Sequence, residues 1–404
     1  MRNVIFAAPY PVETTYRFVR AAARLRDVRM LGIVAKAPRG AEAKLFADIV
    51  TVEDPLDVGQ MINAARLLQH RHGSIHRVLG ILEPLQVQLA HVRQELQVPG
   101  MTPKIADLFR DKSLMKEALR RHDLPCARHS MITSWADAEA FVAQVGFPIV
   151  VKPPAGVACK ATWRVEDKEQ LREALSAIHA SPRNPALAEE FLRGREFSFE
   201  TITIGGEVRF NSFTRYMPTP LEAMENPWMQ WVVVHPRDVT GPEFTDARAL
   251  GIRTVKALGL DTGFTHMEWF RRHDGSLAIG EIAARPPGAQ IIPGNNFVHD
   301  ADFFRAWARA VVDQAYDGPY ERKYSVAVAF LRGAGQGRVS RVTGVAAAHA
   351  AVGHLVVEAR LPRPGTPKSD SYEGDGYVIV RHPDVEVVKT AIKAVIDNIR
   401  VEYA

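Results

Sequence analysis

An α/β region followed by α+β lobes is the fold class this sequence predicts, and three observations carry it. The first hundred residues alternate short apolar runs with stretches of helical apolar spacing, the pattern of a parallel sheet covered on both faces. Turn-forming residues then gather in Val98-Pro99-Gly100-Met101-Thr102-Pro103, which marks a boundary. Beyond it, the alternating segments Thr265-His266-Met267-Glu268-Trp269-Phe270 and Gly280-Glu281-Ile282-Ala283-Ala284-Arg285 flank His273-Asp274-Gly275-Ser276 and read as an antiparallel hairpin.

Taken in order, Val4-Ile5-Phe6-Ala7-Ala8, Met30-Leu31-Gly32-Ile33-Val34 and Val78-Leu79-Gly80-Ile81-Leu82 are the predicted parallel strands, with helices over residues 16–25 and 58–70 between them. The first strand leads into Pro9-Tyr10-Pro11-Val12-Glu13-Thr14-Thr15, without the glycine-rich fingerprint of a dinucleotide-binding dehydrogenase. Helices over 135–145 and 168–179 are expected to pack on strands that include 147–152 and 196–204. The stretch 216–231 is dense in proline, methionine and tryptophan; either these side chains form an adaptable apolar wall of a substrate pocket, or, as buried aromatics more often do, the tryptophans pack in the core or in a dimer contact. Residues 286–296 read as a long loop in which Asn295 or Asn296 could meet a substrate, and 302–315 as a helix. A strand over 324–330, a hairpin turn over 332–338, a strand over 376–380 and a helix over 385–399 complete the chain.

The chemistry concentrates on a few charged positions. Side chains alternate across a strand, so Glu268 shares a face with His266 and Phe270, and Glu281 with Ala283 and Arg285. Two carboxylates beside an arginine suit magnesium and a phosphate, since this hard cation takes oxygen ligands and the guanidinium fork matches phosphate oxygens. Upstream, Arg110-Asp111-Lys112 opens an amphipathic helix, and Ile149-Val150-Val151-Lys152-Pro153 is an apolar strand ending in a lysine. The run from Pro153 through Gly156, Ala158 and Cys159 to Lys160 is a turn of small residues that could present backbone N–H groups to phosphates. The segment from Ala188 to Ser198 then runs acid, apolar, glycine, acid, as a strand and turn would if they carried a purine edge and a ribose.

In this order the segments resemble the ATP-grasp superfamily, in its carboxylate–amine ligase branch with L-amino acid ligase-like and biotin-carboxylase-like members. The resemblance implies an N-terminal Rossmann-like parallel-sheet domain (1–103), a two-lobed nucleotide-binding grasp (104–195 and 196–322) and a small C-terminal lobe (323–404). It implies that Lys112, Lys152 and Gly156 meet the nucleotide phosphates, that Glu189, Glu190, Phe191 and Leu192 line the adenine, and that Glu196 binds the ribose. Glu268 and Glu281 would hold Mg2+, or Mn2+ in its place, while Arg285, Lys152 and His266 would serve catalysis. Many members read Glu-x-Asn-x-Arg where this chain has Ala283, which removes one amide oxygen donor. In the N-terminal domain Glu13, Thr14 and Glu83 are acceptor-substrate candidates.

Composition limits the alternatives. The 404 residues carry a net charge of +5, with a sequence pI of about 9.2, which suits anionic ligands without a Lys/Arg block interleaved with aromatics for nucleic acid. Two cysteines, Cys126 and Cys159, make no disulfide framework. No apolar run is long enough to cross a bilayer, so a cytoplasmic protein is expected, acting on small-molecule carboxylates and amines, with a homodimer as the assembly the resemblance implies and no nucleic-acid or membrane partner. The expected function is ATP-dependent joining of a carboxylate to an amine through an acyl phosphate, releasing ADP and phosphate. A bicarbonate-activating carboxylase-like or purine-biosynthetic enzyme and a non-catalytic nucleotide-binding regulator are the alternatives.

Overall fold

The computed structural model describes residues 1–156 and 161–404, so the expectations placed on Ala158, Cys159 and Lys160 lie outside the described residues. The chain opens with β1 (Arg2–Ala7), α1 (Glu13–Ala23), β2 (Val28–Val34), β3 (Asp48–Thr51), α2 (Val58–His72), β4 (Ile75–Leu79) and α3 (Gln86–Glu95). The four strands form a parallel sheet in the order β3-β2-β1-β4. Ile5, Leu31 and Val78 pack toward α2 and α3, whereas Val4, Phe6 and Met30 join α1, so the strands read as nearly continuous apolar runs. Two details differ from the expectation. The strand expected at 78–82 forms at 75–79, where His76 and Arg77 suit an edge, and the chain leaves the sheet at Gly80. β3 escaped notice because its four residues are half-exposed and carry little apolar signal.

Two helices then bridge to the grasp, α4 (Pro103–Arg110) and α5 (Lys112–Arg121). The Asp111 carboxylate accepts from the N–H groups of Ser113 and Leu114, which fixes the start of α5 and presents Lys112 on its first turn. A small antiparallel sheet follows, built from β5 (His129–Ile132), β6 (Ile149–Lys152), β7 (Trp163–Val165) and β8 (Ala186–Glu190) in the order β5-β8-β6-β7. Helices α6 (Trp135–Val145) and α7 (Lys168–Ile178) bury Phe141, Leu171 and Ile178 against Ile149 and Val151. The strand over 196–204, expected in this layer, instead belongs to the main sheet, where Phe197 and Phe199 find an aromatic core.

That main sheet has eight strands and positions the site. Its members are β9 (Gly194–Ile204), β10 (Glu207–Met217), β11 (Trp231–His235), β12 (Gly263–Arg272), β13 (Leu277–Ala283), β14 (Ser325–Leu331), β16 (Val356–Arg360) and β17 (Gly376–His382), ordered β13-β12-β9-β10-β11-β14-β17-β16. Between them lie α8 (Pro220–Glu225), α9 (Pro242–Leu258), α10 (Ile291–His299), α11 (Phe303–Ala308), β15 (Val339–Thr343) and α12 (Val345–Val352), and the chain ends in α13 (Val385–Asn398) and β18 (Arg400–Tyr403). β15 pairs with β18 in a separate two-stranded sheet, so residues 332–338 cross between sheets and are not the expected hairpin turn.

One further expectation is corrected and one open choice is decided. The loop foreseen over 286–296 is cut short by α10, which starts at Ile291, so that Asn295 is buried and accepts from Ser212, while Asn296 accepts the N–H of Phe303. Both side-chain oxygens are thus engaged within the fold. Within 216–231, Trp231 is buried between Phe330 and Tyr372 as core, while Trp228 is 63% exposed.

Candidate active site

The site begins with the alternation of side chains on three neighbouring strands. Antiparallel register puts Glu268 of β12 opposite Glu281 of β13 and Ser198 of β9, with His266 opposite Glu200 and Phe270 opposite Glu196. Residues directly opposite share a face, so Glu196, Glu200, His266, Glu268 and Glu281 all stand on one side of the sheet. Phe197, Phe199, Met267 and Trp269 occupy the other side as core. The predicted hairpin is present, with its turn over 273–276.

This polar face is the floor of a cavity of about 440 Å³, within the size range of small-molecule sites. Lys112, Lys152, Gly156, Glu189, Glu190, Phe191, Leu192, Glu196, Glu268 and Glu281 all line it, so ten of the positions expected at the nucleotide and metal meet in one place. Thr219, Pro220, Leu221 and Glu222 at the start of α8 close another side, which brings the proline-rich segment to the cavity through α8 and not through its tryptophans.

The charges are interlocked. Lys112 Nζ lies 3.2 Å from Glu281 Oε2, and Lys152 Nζ lies 2.8 Å from Glu189 Oε2. Burial would raise the Glu281 carboxyl, but the Lys112 and Lys152 charges outweigh it and hold the group at about 2. Glu196 goes the other way: burial, joined by the charges of Glu268 and Glu281, pushes its carboxyl well above the usual carboxylate range. The side chain of Glu190 turns to Arg128 and Arg272, and residues 191–193 lie between strands with Arg164 over the Phe191 ring at 4.7 Å.

A cation fits this donor set. Glu268 and Glu281 are adjacent oxygen donors with side chains 23% and 33% exposed, and positive charge beside them would offset the repulsion that burdens Glu196. Among the described residues no group of three or more His, Cys, Asp or Glu side chains could hold a metal ion. Two carboxylates suffice for magnesium, which keeps several waters and takes phosphate oxygens.

His266 and Arg285 stand outside the cavity lining. Nδ1 of His266 is 3.0 Å from Glu200 Oε1, and Nε2 is 3.3 Å from the Tyr216 hydroxyl and 3.7 Å from Glu268 Oε1. Burial would favour the neutral ring, yet Glu200 and Glu268 push it up to about 9, leaving an imidazolium beneath Glu268 at neutral pH. Arg285 Nε and Nη2 each lie 3.0 Å from Glu83 Oε2, and Nη1 donates to Pro286 O at 3.1 Å. Glu83 thus serves Arg285. Glu13 pairs with Arg20 on the surface of α1, away from any such network.

Several participants were not singled out from sequence. Lys116, four residues after Lys112 on α5, is fully buried; its Nζ donates to Gly280 O at 2.8 Å and lies 3.4 Å from Glu189 Oε1. Burial lowers this ammonium, against the pull of Glu189. The helical spacing from Lys112 was the available signal. Arg110 reaches Glu83 at 3.4 Å and Gly156 O at 3.1 Å, and also holds Ala155 O, so it ties the described part of the small-residue loop to the partner of Arg285. Glu200 and Tyr216, which position His266, are separated from the recognised residues by strand pairing that no local spacing reveals.

Comparison with known proteins gives this geometry a context. Residues 117–289 match the family model of the ATP-grasp domain. The chain is 24% identical over 251 residues to an L-arginine-specific L-amino acid ligase of Bacillus subtilis, a match covering 61% of this chain and 60% of that protein. It is 27% identical over 252 residues to the carbamoyl phosphate synthase large chain of Halobacterium salinarum, covering 62% of this chain but 23% of that one. The matched stretches thus span less than two thirds of either relative. In fold, the L-amino acid ligase from Bacillus licheniformis superposes with a TM-score of 0.82 at 18% identity, covering 100% of this chain and 99% of its own. The N5-carboxyaminoimidazole ribonucleotide synthetase from Thermotoga maritima gives 0.75 at 17% identity, with 100% of both chains covered.

Proposed function

Because residues 117–289 form an ATP-grasp domain, we propose that this protein is an ATP- and magnesium-dependent ligase that joins a carboxylate to an amine, with amino acids as the substrate class. The observation that carries the reading is the single cavity in which Lys112, Lys152, Glu196, Glu268 and Glu281 meet. The likeness to an L-arginine-specific L-amino acid ligase supports the substrate class.

Each residue then has a physical task. Lys112 and Lys152 place point charges where phosphates sit, and their bonds to Glu281 and Glu189 fix those charges before a ligand arrives. Residues 189–192 border the adenine, and Glu196 hydrogen-bonds ribose hydroxyls. Glu268 and Glu281 hold magnesium, which when bound supplies positive charge at the phosphate oxygens. His266 is a positioning residue that orients Glu268 from below, with Glu200 and Tyr216 fixing the ring. Arg285 steadies the transferred phosphate, and Glu83 sets its orientation. In this reading the substrate carboxylate takes the γ-phosphoryl group, and an amine then displaces phosphate from the acyl phosphate to leave an amide. Positioning and preorganised charge supply most of the acceleration.

The test is formation of ADP and phosphate from ATP and magnesium across pairs of amino acids, with Glu281→Gln as control. Product that requires both partners and disappears in the control supports the ligase. Turnover with bicarbonate alone would move the assignment to a carboxylase, and tight ATP binding without product from any pair or from bicarbonate would overturn catalysis altogether.

A further inference from the structure

A second cavity lies between the edge strand β4 of the parallel sheet and the second lobe, and cations outnumber carboxylates in its wall, the reverse of the reaction cleft. Arg77, Arg93 and Arg285 line it, and the one carboxylate in its wall, Asp261, is exposed and bonded to Thr262. Its volume of about 70 Å³ holds roughly five water-sized spheres, the heavy-atom count of a tetrahedral oxyanion.

Arg77 and Arg93 are held in place by backbone, not by counter-charges. Arg93 Nε donates to Val78 O at 3.0 Å, while its Nη1 is buried without a hydrogen-bond partner. Arg77 donates from Nε to Val311 O at 3.2 Å and from Nη1 to His76 O at 2.8 Å. Among the described residues, neither has a carboxylate within ion-pair distance, and burial pushes Arg93 down to about 10. Asp313 acts on Arg77 only from a distance, since its carboxylate is engaged by Arg2 and Arg309. A guanidinium N–H withdrawn from water without a partner is costly, which is the state of Arg93 Nη1, while the half-buried Arg77 adds a second positive charge to the same wall. The guanidinium fork suits the oxygens of phosphate or carboxylate. The third arginine, Arg285, is the one that Glu83 holds, so an anion here would share that guanidinium with Glu83.

We propose that this cavity, separate from the nucleotide cleft, is a binding site for a small oxyanion held by Arg77 and Arg93, with Arg285 in its wall. The site neighbours the cleft and does not depend on which substrates are ligated there.

The experiment uses the full chain with its nucleotide cleft filled by magnesium and the non-hydrolysable β,γ-imido analogue of ATP. Inorganic phosphate, sulfate and acetate are titrated in turn by calorimetry against a chloride control of equal ionic strength. We expect saturable binding of at least one oxyanion, weakened tenfold or more by Arg77→Gln and by Arg93→Gln, with affinity for the ATP analogue unchanged in both. Preference for phosphate and sulfate over acetate would identify a phosphate source, and the reverse a substrate carboxylate. Should Arg93→Gln fail to fold, Arg77→Gln decides alone. Absence of oxyanion binding with the cleft filled, or equal binding by the wild type and the folded variants, would overturn the site.

Discussion

On one face of β9 and β12, Phe197 stacks on Trp269 with ring centroids 4.6 Å apart, and Phe199, Met267 and Phe213 close the layer around them. On the other face of the same two strands stand Glu196, Glu200, His266 and Glu268. The backbone is shared and the chemistry is opposite, since period-two alternation sends odd positions to a dry core and even positions to a charged floor. The lesson is that stability and ligand chemistry are separated here by one residue of register, so mutations on the two faces should fail in different ways. A slip of one residue would exchange the faces and lose both.

The largest expected effect lies on the dry face. Trp269→Ala should lower unfolding free energy by about 3–5 kcal/mol, because a fully buried aromatic is replaced by a cavity, while the folded fraction keeps its nucleotide affinity. Denaturant melts with a nucleotide titration check both halves of that statement. On the charged face, Glu281→Gln should cut turnover roughly a hundred- to a thousandfold by removing one fixed charge from the site, and lower stability by less than Trp269→Ala, since the carboxylate paired with Lys112 is one-third exposed. A collapse in stability would break the comparison.

A third prediction sharpens it within one face. His266 and His235 are both buried, but His266 has Glu200 and Glu268 beside it, whereas His235 lies against Gly294 of α10 and feels the positive charge of Arg322. Burial, aided by the charge of Arg322, lowers His235 to about 3 from an ordinary value of 6.5. A depressed folded-state value means that its contribution is complete above pH 6.5 and is lost as pH falls towards 3. The slope is at most about 1.4 kcal/mol per pH unit from this group. His235→Leu should flatten that acid limb, and an unchanged limb would show that other groups set it. The smallest effect belongs to the surface: Asp397→Ala breaks an exposed i,i+4 pair with Lys393 and should change stability by about 0.5 kcal/mol or less in a thermal melt.

Legibility from sequence follows the same division. Glu268, Glu281 and their hairpin were readable because alternation and turn chemistry are local, and Lys112 because Asp111 caps its helix within two residues. The short strand β3 and the shifted β4 were not, since half-exposed edge strands carry a weak apolar pattern. Asn295 was misplaced because Ile291 to His299 starts a helix at Gln290, whose positive φ of 55° no residue pattern announces. The pairing of Arg285 with Glu83 joins positions 202 residues apart, and the Glu200–His266 bond joins positions 66 apart. Such contacts depend on how sheets assemble, which neither periodicity nor capping encodes. For the segment over 216–231 two readings stood open, pocket wall and core packing, and for Trp231 the choice falls to core packing because Phe330 and Tyr372, far away in sequence, enclose it.

One consequence of the strand order concerns behaviour in crowded solution. β13, which carries Glu281, is an outer strand of the eight-stranded sheet, the position where an open row of backbone groups invites another chain to add on. Here the row is occupied from the chain's own interior: Ile279 N–H donates to Pro125 O at 2.8 Å, Gly280 O accepts from Lys116, and Ile282 N–H meets Met115 Sδ at 3.3 Å. The helix and turn that serve the nucleotide therefore also act as a guard rail, denying the most functional strand of the molecule a partner for self-association.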